Sequence, residues 1–471
     1  MDTSVVLMLF VSTLLCFAVL RRAARRTRPP AAVQLPTIEI SDAAVARRAL
    51  VDYADVFANR PFLPFPVALV TGRRRRRSDN LNSVPYGPHW RVLRRNLTAG
   101  IFHPSHLGLL APLQRDAVED LVAGISAGAV LVLRDVVYPA VFRLVARMCF
   151  GDGIGERQVR ALRRVIREFV LDVGVANNVF PVSTLARLWH WRRIRRLLSS
   201  RRRQAELYLP LIDARRRMAR RRGGDGGMFR PYVDALIDLR VPRDEESKEQ
   251  RTALTDDEMV SLLMEFLGAS TETVVSCIEW TLAHLVIDGE AQNKLRREVG
   301  DGEHIHGRSR TPPYMRAVIL ESLRLHPPVP LVIREVGAAP VLDELAMPMP
   351  AGGARVHFVI GDIGRDGKSW KDPDEFRPER FMAGGEAEGV GPLPGPKEVR
   401  MMPFGAGQRF CPGMGLAMAH VGLFVAALVC EFEWTPAPAA GGGVDLTQQD
   451  DFFNVLQSVT DETSVTGSKC G

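Results

Sequence analysis

A glycine-rich loop near the C-terminus constrains the fold of this chain more than any other stretch. It spans residues 403–413 and reads PFGAGQRFCPG. Gly405, Gly407 and Gly413 can adopt positive φ angles and can allow a flat group to approach the backbone closely. Cys411 is the single thiol of the loop, and a largely apolar run follows it. We therefore expect a tight turn that leads into a helix, with a cysteine at the junction.

The surroundings predicted for Cys411 favour the thiolate over the thiol. Amides of the loop, and the positive end of a helix over Met414 to Cys430, would both stabilise negative sulfur. Arg409 offers a planar cation to a carboxylate. A lone thiolate in such a loop is a strongly donating ligand suited to a haem iron. Taken alone, however, Cys411 also fits a buried structural cysteine, the usual fate of a free thiol.

The spacing of the loop distinguishes these interpretations. Phe404, Gly407, Arg409, Cys411 and Gly413 fill every position of Phe-x-x-Gly-x-Arg-x-Cys-x-Gly. This pattern resembles the haem-binding loop of the cytochrome P-450 superfamily, the haem-thiolate monooxygenases. The resemblance implies haem b, with Cys411 as the axial ligand of its iron. It also implies a mainly α fold with a small β region, built as a single catalytic domain.

The N-terminus has the features of a membrane anchor. Val5 to Leu20 form an apolar run without charge, at the short end of the roughly 17–25 residues that span a membrane. A cleaved signal peptide is the alternative, but it would need a basic start, and Asp2 stands there instead. Arginines follow the run, which predicts a cytosolic C-terminal body. We expect residues 1–30 to be a retained anchor with a proline hinge, in the endoplasmic reticulum membrane by family resemblance, and residues 31–471 to be the catalytic domain.

Composition and charge narrow the class of protein further. The chain has 471 residues, of which 46% are hydrophobic, so it can bury a substantial core. Its 6 cysteines form no CxxC pair, which argues against a zinc site or a disulfide framework and indicates a reducing compartment. The net charge of +8 comes partly from arginine runs at 73–77 and 187–222. We expect no nucleic-acid partner, because contact with a lipid surface explains these runs more simply; a plain solvated helix over 187–222 is the alternative.

A long helix is predicted after the N-cap pair Thr255 and Glu258, and it should continue to about Asp288. Small and hydroxyl residues cluster in its middle, from Gly268 to Thr273. The simplest interpretation is a kink in which a threonine hydroxyl bonds back to the helix. The family pattern Ala/Gly-Gly-x-Asp/Glu-Thr matches here, except that serine replaces the usual glycine. The resemblance implies that Glu272 and Thr273 deliver protons during oxygen activation.

Further arginines are assigned by the same resemblance. Trp90 and Arg94 share a helix face at i and i+4, which alone indicates an amphipathic surface helix. In the family this pair holds a haem propionate, and Arg334 and Arg409 occupy positions that do the same. A Glu-x-x-Arg pair followed by Pro-Glu-Arg-Phe resembles the structural triad of the family. The members of that triad are Glu321, Arg324 and Arg380.

The resemblance also implies a reaction and its partners. A membrane reductase would pass electrons from NADPH to the haem, and one oxygen atom would enter a lipophilic substrate. Apolar residues at family positions give the candidate substrate pocket, which comprises Phe266, Ala269, Val329, Leu331, Val332 and Phe452. A reductase-independent isomerase or dehydratase is a second hypothesis, although such members tend to lack the threonine found here. A non-catalytic membrane-anchored relative is a third.

Two regions depart from the family pattern. The stretch from Pro30 to Trp90 is a few tens of residues short, so the usual first helix and first strands of the small sheet should be partly missing. The polar tail from Gln457 to Gly471 does not look like the usual final strand. Both departures support the non-catalytic hypothesis.

Overall fold

The chain is mainly α-helical with small sheets, as predicted. The computed structural model describes residues 35–61, 80–179, 191–221, 229–242, 251–300, 311–337, 350, 352–395, 398–436, 446, 448–450, 454–456 and 465–469. The predicted anchor at Val5 to Leu20 and the arginine run at 73–77 lie outside these residues.

The elements follow one another along the chain with helices in the majority. The helices are α1 Ala43–Arg47, α2 Pro88–Ala99, α3 Pro104–Leu107, α4 Ala111–Ala123, α5 Leu133–Phe150, α6 Glu156–Val179, α7 Trp191–Arg221, α8 Tyr232–Ile237, α9 Asp256–Ile287, α10 Gly289–Val299, α11 Pro313–Leu325, α12 Ile360–Gly364 and α13 Met414–Glu431. The strands are β1 Thr37–Ile40, β2 Val130–Leu131, β3 Arg240–Pro242, β4 Arg251–Ala253, β5 Leu331–Val336, β6 Ala354–Val359, β7 Phe432–Pro436, β8 Gln448–Asp450, β9 Asn454–Leu456 and β10 Val465–Lys469.

The long helix α9 forms the centre of the molecule, and its predicted start and end are confirmed. Thr255 accepts a hydrogen bond from the backbone N–H of Glu258, while the Glu258 carboxylate accepts one from the N–H of Thr255 at 2.7 Å. The helix is buried on nearly every side, as expected for one with apolar residues all round. It packs against α5, α11 and α13. Thr273 does bond back to the Ala269 carbonyl at 2.7 Å, yet the helix continues without a break.

A three-stranded sheet in the order β1-β6-β5 brings the first described residues to the later part of the chain. Strand β1 runs parallel to β6, and β5 pairs antiparallel with it, placing Arg334 opposite Val356. After β1, the Asp42 carboxylate accepts hydrogen bonds from the next helix N–H groups at 2.9 Å. The predicted short strand followed by a helix that starts at Ser41-Asp42 is therefore confirmed.

The C-terminal tail corrects one expectation. Residues 457–471 were expected to lack the usual final strand, but Val465–Lys469 form β10, which pairs antiparallel with both β7 and β2. A strand in this position is held by its backbone hydrogen bonds, so its side chains need not be apolar. Gly467 also lies against Trp434, where an added Cβ would be 3.2 Å from the ring. A small residue is therefore suited to the place.

The arginine-rich segment forms helix α7, whose inner face is part of the core. Ser200, Gln204, Tyr208 and Ile212 recur every four residues and are fully buried. The helix packs against α6, α8 and α9. Its outer face carries arginines, and the side chain of Trp191 is 57% exposed at its start.

Two helices in the described part of the chain, α9 and α13, are long and apolar enough to cross a membrane by length and composition. Most of each lies inside the protein, with 67% and 56% of the apolar window buried. Both are therefore core helices of the folded body.

Candidate active site

The loop around Cys411 has the tight backbone that its glycines predict. Gly405 and Gly407 adopt φ angles of 71° and 70°. A Cβ on Gly407 would lie 2.0 Å from the carbonyl oxygen of Leu50, so a side chain cannot fit there. The N–H of Cys411 donates to the Phe404 carbonyl at 2.8 Å and closes the loop.

Gly413 plays a different part from the one predicted. Its φ angle is −94°, so it does not use the positive-φ region. It lies instead at the N-terminal boundary of α13, where an added Cβ would be 3.3 Å from the ring of Phe102. Close approach by an aromatic ring, rather than backbone conformation, explains why glycine suits this position.

The pKa of the Cys411 thiol is raised, because burial disfavours the charged form. The backbone N–H of Gly413 and the guanidinium groups of Arg94 and Arg60 act in the opposite direction. The predicted support for a thiolate is therefore present, but burial outweighs it in the chain alone. A bound metal cation would reverse this balance, since a coordinating thiol is deprotonated outright.

Trp90 and Arg94 lie beside the loop on one face of α2, as their spacing predicts. The Arg94 guanidinium is 5.9 Å from the ring centroid of Trp90 and 4.6 Å from that of Phe410. Arg94 also donates to the Phe410 carbonyl at 2.8 Å. Among the described residues, Nη2 of Arg94 and Nε1 of Trp90 find no acceptor although both are buried.

Arg334 reaches the same region from strand β5. It is only 2% exposed, and Nη1 donates to the carbonyl of Ile333 at 2.9 Å. Its Nε has no acceptor within the described part of the chain. Burial and the nearby guanidinium groups of Arg60 and Arg409 lower its pKa well below the usual value.

Arg409 is engaged with the backbone. Its guanidinium donates to the carbonyl oxygens of Ala58 and Val84, each at 2.6 Å, of Leu81 at 3.0 Å and of Asn82 at 3.4 Å. Burial is the largest cause that lowers its pKa, to about 10. Sequence reasoning assigned Arg409 to a haem carboxylate, whereas these contacts tie it to residues 58–84.

The acid and the alcohol of α9 lie on different sides of the helix. Glu272 is 3% exposed and accepts a hydrogen bond from Tyr138 at 2.8 Å, and it forms an ion pair with Arg134. Both partners belong to α5. Thr273 is only partly buried, and Ala269, one turn before it, is exposed within an otherwise buried helix. Thr273 and Ala269 therefore border open space, while Glu272 contacts α5.

Sequence reasoning missed Arg134 and Tyr138 as partners of Glu272. Arg134 also pairs with Glu279, two helical turns further along α9, at 2.8 Å. Burial raises the pKa of Glu279 to about 7, and Arg134 opposes this rise. No local pattern identifies these partners, because they lie well over a hundred residues from Glu272 in the sequence.

A second buried carboxylate on α9, Glu265, was also missed. It accepts hydrogen bonds from the backbone N–H groups of Leu81 and Asn82 at 2.8 and 2.7 Å. The carbonyls of the same two residues accept from Arg409. Glu265 and Arg409 thus hold the segment 81–84 from its two sides.

The sequence profile of the cytochrome P450 family matches residues 32–452 of the chain. The chain belongs to the cytochrome P450 family. Its sequence is 32% identical over 441 residues to cytochrome P450 89A9 of Arabidopsis thaliana, covering 89% of this chain and 82% of that protein. It is 26% identical to a 2-hydroxyisoflavanone synthase of Glycine max over 77% of this chain and 69% of that protein.

Solved P450 structures share the fold. A retinoic acid-bound cyanobacterial P450, CYP120A1, superposes with a TM-score of 0.70 at 19% identity, covering 92% of this chain and 89% of that one. A zebra fish P450 determined with progesterone gives a TM-score of 0.68 at 19% identity, over 92% and 94% of the two chains. Membership of this family establishes the mainly helical P450 fold and, in general terms, haem-thiolate monooxygenase chemistry.

The P450 family implies a haem cofactor, and the residues around Cys411 fit one. The orphaned donors of Trp90, Arg94 and Arg334 are buried N–H groups that need acceptors. Leaving such a group unpaired costs about 1–3 kcal/mol. The two carboxylates of haem b are acceptors of the right charge. Cys411 supplies the soft donor for the iron.

The Glu-Arg-Arg triad of the P450 is assembled in the core behind the loop. Arg324 donates to both oxygens of Glu321, from Nε at 2.7 Å and from Nη2 at 2.8 Å. Arg380 donates from Nε to Oε1 of the same carboxylate at 3.1 Å. All three side chains are fully buried. The triad is thus one carboxylate held between two planar cations.

The candidate pocket residues are only partly brought together. Ala269 is exposed, and Val329, Leu331 and Val332 are partly exposed at the edge of the small sheet. Phe266 is instead buried, with its ring centroid 6.1 Å from that of Phe102 and 4.9 Å from that of Tyr232. Phe452 lies outside the described residues.

We expect Glu265→Gln to remove part of the pH dependence of stability. Burial raises the pKa of Glu265 from 4.5 to about 7, so the folded state binds its proton more tightly than the unfolded state. This contribution is full below the unfolded pKa and is lost as the pH rises toward 7. Glutamine keeps an acceptor but cannot ionise. Thermal unfolding of the holoprotein at several pH values across this window should show a shallower decline for the variant.

The matched control is Glu206→Gln, which changes an exposed glutamate on α7. Its stability should follow the wild-type pH profile. An unchanged profile for Glu265→Gln would show that Glu265 does not titrate in this window.

Proposed function

We propose that this P450 is a membrane-anchored monooxygenase. One oxygen atom of O₂ enters a lipophilic small molecule, and the other leaves as water. The electrons come from NADPH through a haemoprotein reductase in the same membrane. Residues 1–30 anchor the chain in the endoplasmic reticulum membrane, and residues 31–471 form the catalytic domain on the cytosolic side.

The observation that carries this proposal is the set of buried, unpaired donors around a glycine-bound thiol. Trp90, Arg94 and Arg334 present N–H groups that accept no partner among the described residues. These groups, with Cys411, match a flat dianionic group with a metal at its centre. The apolar and partly exposed residues Ala269, Val329 and Leu331 support a lipophilic substrate.

The proposed chemistry divides between the cofactor and the α9 residues. Bound haem supplies a redox-active iron, and the thiolate of Cys411 favours O–O cleavage there. Thr273 borders the open space, and its hydroxyl can turn from the Ala269 carbonyl to donate a proton. Glu272 is held by Arg134 and Tyr138 on the α5 side. Its proton therefore reaches Thr273 through water, or after the carboxylate leaves Arg134.

We expect Thr273→Val and Glu272→Gln each to lower product formation by roughly 100-fold, because each removes a proton donor from the relay. The test uses the full chain in lipid vesicles with an NADPH-dependent reductase and a panel of lipophilic substrates. Haem content should be retained in both variants. Thr281→Val is the matched control, because Thr281 makes the same kind of back-bond on α9, to Cys277 at 2.6 Å, and is fully buried.

Two outcomes would contradict the proposal. Conversion of a hydroperoxide without reductase and NADPH would favour the isomerase or dehydratase hypothesis. A purified chain without haem would favour the non-catalytic hypothesis.

A further inference from the structure

Arg60 is a buried cation that sequence reasoning did not assign. Residues 58–60 lie between three parts of the site. The Ala58 carbonyl accepts from Arg409 at 2.6 Å, and the Asn59 carbonyl accepts from the N–H of Glu335, next to Arg334, at 3.0 Å. The Asn59 side chain accepts from the N–H of Tyr86, just before α2, at 2.9 Å.

These contacts place Arg60 among the groups that surround the loop cysteine. Its guanidinium faces Cys411 and Glu265, and it lies within electrostatic reach of Arg94, Arg334 and Arg409. Desolvation lowers its pKa despite the two anionic neighbours. No hydrogen bond from its guanidinium is seen to any described residue.

The charges of this group do not balance in the chain alone. Four guanidinium groups, at Arg60, Arg94, Arg334 and Arg409, meet the carboxylate of Glu265 and the thiol of Cys411. If both anionic groups are ionised, two positive charges remain. Buried charges without partners are costly. Two further carboxylates would neutralise them, and haem b carries two.

Arg409 is poorly placed to supply that neutralisation. A guanidinium has five N–H donors, and Arg409 directs four of them at the carbonyls of Ala58, Leu81, Asn82 and Val84. By contrast, Arg94 and Arg334 each make one hydrogen bond, to the carbonyls of Phe410 and Ile333, and each keeps an orphaned donor.

We infer that Arg60 binds a haem propionate together with Arg94 and Arg334, while Arg409 serves to fix residues 58–84 around the site. This inference rests on the proposed haem site and adds one residue to it. Arg409 then acts as a positioning residue, since it holds the backbone next to Arg60. The 58–60 segment brings Arg60 to the place where a propionate needs a cation.

The test compares haem loss from the full-length holoprotein, Arg60→Gln and Arg409→Gln. Each is loaded either with haem b or with its dimethyl ester, which lacks the propionate charges, and an apo-globin scavenger collects the released haem. With haem b, Arg60→Gln should lose the cofactor about 10-fold to 100-fold faster, as expected for a charge-assisted hydrogen bond. With the ester, Arg60→Gln and wild type should release it at the same rate.

Further variants separate binding from folding. Arg409→Gln should accelerate release of both cofactors, because its effect passes through the backbone. Arg60→Lys keeps the charge and should recover part of the wild-type rate with haem b. The control is Arg95→Gln, an exposed arginine on α2 beside Arg94, which should change nothing.

Two results would overturn the inference. Haem loss from Arg60→Gln could match wild type, or it could be accelerated equally for haem b and the ester, which would indicate a structural role. Failure of the proposed function has a different signature: wild type itself would take up no haem, and both claims would then fall.

Discussion

Glu321→Ala is expected to prevent most of the chain from reaching its folded state. The substitution leaves Arg324 and Arg380 as fully buried cations without their carboxylate. It also removes the acceptor of the Arg377 N–H, which now bonds Glu321 at 2.9 Å. Breaking a buried ion pair from one side costs about 3–5 kcal/mol, a large part of the roughly 5–15 kcal/mol that stabilises a typical protein. Soluble yield and the unfolding midpoint in urea measure the effect.

The matched control is Glu379→Ala, which breaks an exposed ion pair. Glu379 bonds Lys294 at 2.6 Å, but the two side chains are 55% and 42% exposed. Exposed pairs contribute about 0–1 kcal/mol, so this variant should fold normally. Equal losses for the two variants would show that burial of the Glu321 cluster has no special weight. Glu321→Gln keeps the acceptors but not the charge, and we expect an intermediate loss.

Cys411→Ser is expected to abolish monooxygenase turnover. Serine keeps the size of the side chain and the N–H to Phe404, so the loop should close as before. Its hydroxyl is a much weaker donor than a thiolate, and the electron donation that favours O–O cleavage is lost. Product formation with reductase and NADPH should fall below detection, while circular dichroism stays unchanged.

The matched control is Cys430→Ser, which alters a partly buried cysteine at the far end of α13. Its sulfur contacts the Gly300 carbonyl at 3.1 Å, away from the loop. This variant should retain turnover. Substantial turnover in Cys411→Ser would mean that another group ligates the metal.

Local features of the chain could be predicted from sequence because neighbouring residues determine them. The capping box of Thr255 and Glu258 marks the start of α9 within the chain itself. The tight loop follows from Gly405 and Gly407 in the same way. The Glu321–Arg324 pair needs only helical spacing.

Long-range partners could not be predicted in this way. Arg409 is held by carbonyls more than 300 residues earlier, and Glu272 is held by Arg134 on another helix. The strand at Val465–Lys469 is specified by pairing with β7 rather than by its own polar sequence. Arg60 has no local pattern at all, since its role depends on the charges that the fold collects around Cys411. These features depend on tertiary contacts between distant parts of the chain.

The most direct test of the haem-thiolate assignment is the carbon monoxide difference spectrum of the reduced full-length protein, recorded beside Cys411→Ala. We predict a red-shifted Soret band for the wild type and its loss in the variant, because only thiolate-bound haem gives that shift. A band typical of neutral-histidine ligation, or no haem band in the wild type, would contradict the assignment of Cys411.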